Sequence, residues 1–256
     1  MKEKVDIIIP LSCESVDNRD EELKVFLRSL WENATGWDRV IVVAAAWPAW
    51  LRADARLEVL RLDDPFRANK DANLYRKVRE GLKRTDKEWA VFSADDCAIC
   101  QPVDLSELAP VYNERGIGSV ERAAVEGGKW TKKLARTMRA VGMVAGNWDS
   151  HVPQRWPVVA ALAVIRATEG DWAVEDYHNE GLGRTLCTGI LGGVYGGAIP
   201  AGSIAQSAAK ETVESEEAAK GARLDRLFCC WNDAGWKGGL RERLLGRFPN
   251  PSPWEK

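Results

Sequence analysis

The first hundred residues alternate short β-branched runs with amphipathic stretches, and that alternation points to an α/β sheet with helices on both faces. Val5-Asp6-Ile7-Ile8-Ile9-Pro10 is a nearly continuous apolar run closed by proline, the pattern of a parallel strand buried on both sides. Asp20 to Trp31 sets Leu23, Phe26, Leu27, Leu30 and Trp31 at three- and four-residue spacing, which predicts a helix with one apolar face. Arg39-Val40-Ile41-Val42-Val43-Ala44 is a second buried strand, and Arg56 to Leu62 a third. Asn69 can cap a helix running to about Arg84, with Leu74, Val78 and Leu82 on its inner face. Glu88-Trp89-Ala90-Val91-Phe92-Ser93 is a fourth strand and runs straight into Ala94-Asp95-Asp96. In such sheets ligands bind beyond the carboxyl ends of the strands. Those ends carry Pro10-Leu11-Ser12, Ala44-Ala45, Asp63-Asp64 and Asp95-Asp96.

The second half is less regular. Lys129 to Val141 is an amphipathic helix, and Gly181 to Gly202 is glycine-rich without phosphate-loop spacing. Ala205 to Lys220, rich in Ala, Glu and Lys, reads as an exposed helix or a mobile insertion. The tail Phe248-Pro249-Asn250-Pro251-Ser252-Pro253-Trp254 is too rich in proline to be helical and is expected to be extended. The whole length of 256 residues suits one substantial domain or at most two small ones.

Composition excludes several classes. No apolar run approaches the ~20 residues that cross a bilayer, and Met1 to Asp6 lacks a signal-peptide apolar core, so the expected location is cytoplasmic. Of six cysteines, Cys97 and Cys100 form a lone CxxC and Cys229-Cys230 are adjacent. That is neither a disulfide framework nor the double pair of a structural zinc site, and reduced core thiols are expected. A net charge of −2 excludes a uniformly basic nucleic-acid binder, so any polyanion contact must come from a local patch. The chain has 12 Trp against 4 Tyr and 5 Phe, and Trp both fills cores and stacks on sugars and bases.

Two adjacent carboxylates just past a buried strand are costly to pack without a cation. Asp95-Asp96 offers the hard oxygen donors that Mg²⁺ or Mn²⁺ prefer, and such a cation can also hold a diphosphate and neutralise it as it leaves. The plain alternative is a turn after a strand, where Asp is common. On the neighbouring helix Lys70, Asn73 and Lys77 share a face at i, i+3 and i+7. They are either a diphosphate or ribose contact at a helix start or an ordinary solvated face.

Val5 to Ser12, Asn69-Lys70-Asp71-Ala72-Asn73 and Ser93-Ala94-Asp95-Asp96, taken in order, resemble nucleotide-sugar glycosyltransferases of the GT-A fold. Asn147-Trp148-Asp149-Ser150-His151-Val152-Pro153, Trp231-Asn232-Asp233-Ala234-Gly235 and the closing Phe248-Pro249-x-Pro251-Ser252-x-Trp254-Glu255 are similar to one branch. That branch holds predicted phage DNA glycosyltransferases and the enzyme that glucosylates hydroxymethyluracil in making base J. The likeness runs from near residue 5 to residue 255, with a gap over 181–222.

The resemblance implies a Rossmann-like, mostly parallel central sheet flanked by helices, with a helical C-terminal acceptor-side part. It implies one domain over 1–256, with a nucleotide-sugar-binding half at 1–104 and an acceptor-side half at 105–256. Its acidic motif holds the divalent metal and the donor diphosphate. Here that motif reads Ala-Asp-Asp rather than Asp-x-Asp, which makes Asp96 the direct ligand of Mn²⁺ or Mg²⁺ and gives Asp95 to the ribose or sugar. Pro10 and Ser12 would line the base, and Asn69, Lys70, Asn73 and Arg76 would assist the donor.

The second half then supplies the acceptor side. The chain has two histidines, His151 and His178. Asp149 or His151 would take the proton of an attacking hydroxyl, or His151 would complete the metal shell, or it is a structural histidine in a proline-bounded loop. Asp176 and Asp233 are rival bases. Lys129, Lys132, Lys133, Arg136 and Arg139 share one face of the predicted helix, opposite Trp130, Leu134, Met138 and Val141. That stripe could track a phosphate backbone or simply be solvated. Trp148 and Trp156 flank the same loop and either stack on an unstacked base or belong to the core.

The expected activity is transfer of a hexose from a nucleotide diphosphate sugar, UDP-linked, to the hydroxyl of a 5-hydroxymethylpyrimidine in DNA (hydroxymethylcytosine or hydroxymethyluracil), in a host cytoplasm if phage-encoded. No membrane span or obligate protein partner is expected. The alternatives are a transferase acting on a cell-surface or capsular glycan, and a non-catalytic nucleotide- or nucleic-acid-binding domain.

Overall fold

A computed structural model of the chain describes residues 3–11, 20–65, 70–108, 143–144, 153–159, 161–162, 165–166, 194–195 and 210–255. Ser12, Asn69, the stretch expected to form a basic helix with Lys132, Lys133, Arg136 and Arg139, and Trp148, Asp149, His151, Asp176 and His178 lie outside them. Along the chain run β1 (Val5–Pro10), α1 (Asp20–Asn33), β2 (Trp37–Ala44), β3 (Leu57–Arg61), α2 (Lys70–Arg84), β4 (Trp89–Phe92), β5 (Cys97–Ile99), β6 (Gln154–Pro157), β7 (Lys210–Val213), α3 (Glu216–Gly221), β8 (Phe228–Trp231) and α4 (Arg241–Arg247).

The expected parallel sheet is present. Its strands stand in the order β3-β2-β1-β4-β6. The first four are parallel, with Ile8 opposite both Ile41 and Phe92, and β6 closes the edge antiparallel to β4. Side chains alternate between two layers as the pleat requires. Ile7, Ile9, Val40, Val42 and Val91 share one core with Leu23, Phe26, Leu27 and Leu30 of α1. On the other side α2 lies so close that a Cβ at Gly81 would sit 2.6 Å from Ile8 Cγ2 and 3.3 Å from Val43 Cγ2. Burying each of these Leu, Ile or Val side chains stabilises the fold by about 1.5–3 kcal/mol. Trp156 of β6 is core: it is 1% exposed and stacks on Phe92 with ring centroids 5.2 Å apart.

In the C-terminal part the described residues form both short helices and strands. Two of its strands join β5 of the first half in a second sheet, β7-β8-β5, with β7 parallel to β8 and β8 antiparallel to β5. The segment read as an exposed helix or mobile insertion contains β7 and then α3, capped by Ser215 Oγ, which accepts Ala218 N–H at 3.1 Å. Val213 and Ala219 are fully buried. Pairing to β8 thus overrides the helical composition of that stretch.

The four described thiols are buried and free, as expected. Cys97 and Cys230 lie opposite each other, Sγ to Sγ 3.9 Å, in the main core, whereas Cys100 and Cys229 face the second core. That division across two faces keeps them from forming one metal site. Burial pushes the Cys100 thiol up to about 12.

The tail returns to the first half. Arg28 of α1 grips the Glu255 carboxylate with Nε at 2.9 Å and Nη2 at 2.7 Å, and donates to the Phe248 carbonyl at 3.0 Å. Trp254 is 1% exposed and meets Trp31 and Trp37 at 5.6 and 6.0 Å between ring centroids. Its Nε1 donates to Asp54 Oδ1 at 3.1 Å. The closing motif of the resemblance is, in this chain, a structural clasp.

Candidate active site

The winding of the sheet selects the place. From β1 the chain steps outward to β2 and β3, then returns to the far side of β1 as β4. The crevice between the carboxyl ends of β1 and β4 is therefore a topological switch point, where open α/β sheets bind their ligands. Nine polar or charged residues are buried among the described ones, and five of them, Asn73, Lys77, Ser93, Asp95 and Asp96, belong to this edge. Buried polar groups are packed with partners, and their concentration sets this edge apart among the described residues.

Asp95 and Asp96 are 6% and 4% exposed, and so are not a turn open to solvent. Ser93 N–H still follows the sheet, donating to the Ile8 carbonyl at 3.1 Å. At Asp96 the chain has joined the second sheet, where its carbonyl accepts Trp231 N–H at 3.2 Å. The acidic pair is thus the joint between the two sheets, fixed by a ladder bond on each side. Asp233 lies two residues past Trp231 and opens a short turn, Asp233–Gly235, capped by Asn232 Oδ1 accepting Gly235 N–H at 3.0 Å. Asp233 is exposed. Gly235 is needed there, because a Cβ would fall 2.2 Å from the Val213 carbonyl oxygen.

Across the crevice a buried lysine ties strand ends together. Lys77 of α2 is 1% exposed, and its ammonium donates to Asp64 Oδ2 at 2.7 Å and to the Leu11 carbonyl. Leu11 follows β1 and Asp64 follows β3, so one side chain joins the ends of strands that are not neighbours in the sheet. Arg76 donates to the Asp63 carbonyl at 2.9 Å. Pro10 ends β1 in the sheet interior, Lys70 opens α2, and Asn73 is buried one turn before Lys77.

The two helix starts at this edge differ in charge. The first turn of α1 carries Asp20, Glu21 and Glu22, which disfavours an anion there. The first turn of α2 reads Lys70-Asp71-Ala72-Asn73, one base and one acid.

Of the expected donor-side residues, the structure brings Pro10, Asn73, Arg76, Asp95 and Asp96 to one edge. Of the expected bases it describes only Asp233. Lys77, expected to be a donor contact or a solvated side chain, is buried, and its pairing with Asp64 was not expected. The sequence signals for it were a lysine on the inner side of α2 and an aspartate at a strand end.

The acidic pair suits a hard divalent cation in donor type. Among the described residues no group of three or more His, Cys, Asp and Glu could hold one.

No family model matches the chain, and no curated protein matches it in sequence. Among solved structures, an active-site mutant of LgtC is similar over 98% of this chain and 99% of its own, at 12% identity and a TM-score of 0.48. S. aureus TarS is similar over 38% of this chain at 18% identity and a TM-score of 0.27, and the match spans 17% of TarS. No helix among the described residues is long and apolar enough to cross a membrane.

Proposed function

We propose that the chain is a GT-A-type glycosyltransferase that takes a sugar from a nucleotide diphosphate sugar, UDP-linked, in the crevice between β1 and β4. The observation that carries this reading is the burial of Asp95 and Asp96 at the switch point of a parallel sheet. Carboxylates packed in that position suit a ligand that brings a cation with it. Asp96 would hold Mn²⁺ or Mg²⁺, whose chemistry is to neutralise the departing diphosphate. Asp95 would meet the ribose or sugar. Pro10 and Ser12 would line the base, and Asn69, Lys70, Asn73 and Arg76 would flank the donor.

The acceptor in this reading is the hydroxyl of a 5-hydroxymethylpyrimidine in DNA. It is supported by the sequence resemblance and by the basic stripe of Lys132, Lys133, Arg136 and Arg139. The group that removes the acceptor proton is Asp149, His151 or Asp233.

Incubating the protein with Mn²⁺, a panel of nucleotide sugars and hydroxymethylated DNA, then weighing the digested nucleosides by mass spectrometry, tests both parts. A glycosylated nucleoside is expected. Asp96→Asn should lower its yield by on the order of 10²-fold or more, as removal of a main electrostatic stabiliser does. Undiminished transfer with unchanged Mn²⁺ dependence in that variant would refute the metal role. Product on a glycan but not on DNA would refute the acceptor.

A further inference from the structure

We propose that Asp64, oriented by Lys77, is the carboxylate that recognises the nucleoside end of the donor, accepting a hydrogen bond from a ribose hydroxyl or a base N–H. The inference rests on the nucleotide-binding reading above. The two oxygens of Asp64 have different fates. Oδ2 is held by the Lys77 ammonium at 2.7 Å, with the two side chains 11% and 1% exposed. Oδ1 is buried and has no hydrogen-bond partner. A desolvated carboxylate oxygen with nothing donating to it is a standing penalty, relieved when a ligand supplies the missing donor.

The chemistry of that ligand is restricted. An ionised carboxylate only accepts, so the group that meets it must donate. A phosphate at pH 7 is an anion and is repelled. The position is also restricted. Asp64 follows β3, the far edge of the sheet, but its lysine also bonds the Leu11 carbonyl at the end of β1. The carboxylate therefore lies within one ammonium's reach of the end of β1, the strand that pairs with β4 ahead of Asp95 and Asp96. The acidic sites divide the donor between them: Asp96 would meet the charged diphosphate through its cation, Asp95 the ribose or sugar, and Asp64 a remaining neutral hydroxyl or N–H of the nucleoside end. Lys77 is a positioning residue, which fixes the rotamer of Asp64 and offsets its charge.

Calorimetric titration in Mn²⁺ tests the assignment with UDP, 2′-deoxy-UDP, 3′-deoxy-UDP, N3-methyl-UDP and inorganic pyrophosphate. The variants are Asp64→Asn and the double variant Asp64→Leu with Lys77→Met. The double change removes both charges together, so no ammonium is left buried without a partner; thermal melts verify that it folds. The double variant should bind UDP about tenfold or more weakly, the loss of one hydrogen bond to a charged acceptor, and bind pyrophosphate as the wild type does. Asp64→Asn should lose less. The analogue lacking the recognised donor should bind the wild type weakly and lose nothing further in the double variant; which analogue does so separates ribose from base. UDP binding unaffected by the double change, or pyrophosphate binding lost with it in equal measure, overturns the assignment alone. A wild-type protein that binds no nucleotide overturns the nucleotide reading, and this assignment with it.

Discussion

Replacing Trp254 with alanine tests whether the returning tail is part of the core. The ring is 1% exposed and packs edge-on against Trp31 and at a tilt against Trp37. Truncating a buried Trp to Ala costs about 3–5 kcal/mol. The indole N–H contributes only a small share. Its acceptor, Asp54 Oδ1, also takes Arg56 N–H at 2.7 Å and Leu57 N–H at 2.9 Å, so losing the indole leaves no orphaned carboxylate. That bond is worth about 0.5–1.5 kcal/mol. Trp254→Phe, which keeps a ring but loses the donor, should therefore cost about 1–2 kcal/mol. Urea titration followed by far-UV circular dichroism reads both, since fluorescence from 12 tryptophans would be ambiguous. With a slope of about 2 kcal/mol per molar urea, the alanine midpoint should fall by about 2 M at unchanged slope. An alanine shift under about 0.5 M would place the tail outside the core, and a phenylalanine shift as large as the alanine one would mean that the polar contact, not the packing, holds it.

Glu255 ties the same tail to pH. Burial alone would raise its carboxyl, but the Arg28 guanidinium and the Ser252 N–H and hydroxyl outweigh burial and hold it below the usual 4.5. A lowered carboxylate contributes stability that is complete above its unfolded value and is lost as pH falls through the lower folded one. Glu255→Gln should cost about 1–3 kcal/mol at pH 7 and show a flatter decline of Tm below pH 4.5; parallel declines in both proteins would contradict the clasp. Gly81→Ala sets two effects against each other. Helix propensity favours alanine by about 1 kcal/mol, but the new methyl would stand 2.6 Å from Ile8 Cγ2. Overpacking costs about 1–3 kcal/mol, so Tm should drop by a few degrees, and a rise would mean that α2 can back away from the sheet.

The first half was legible because buried parallel strands must be apolar on both faces, and runs such as Ile7-Ile8-Ile9 and Val40-Ile41-Val42-Val43 have few other uses. Periodicity alone also found α1 and α2. It understated β2, which begins at Trp37 because that ring is buried against Trp31 and Trp254. It misread Lys210-Glu211-Thr212-Val213, whose polar composition favours a helix until β8 offers it a parallel neighbour. The acidic pair was legible from its place at a strand end. The Lys77–Asp64 tie was not, because it depends on which strand ends fold side by side, and its third member, Leu11, is 66 positions from Lys77. The tail prolines announced an extended path but not its destination.

That destination has a bearing on how the molecule comes to be made. The clasp joins positions 227 apart in the chain. Until residues 248–255 have been synthesised, Trp31 of α1 and Trp37 of β2 lack the Trp254 ring that packs on them, and the nascent first half presents indole surface to water and to its neighbours. Chaperone traffic on the ribosome should concentrate on that patch. A protease nick between the clasped ends of the finished protein, by contrast, should leave two fragments that stay associated.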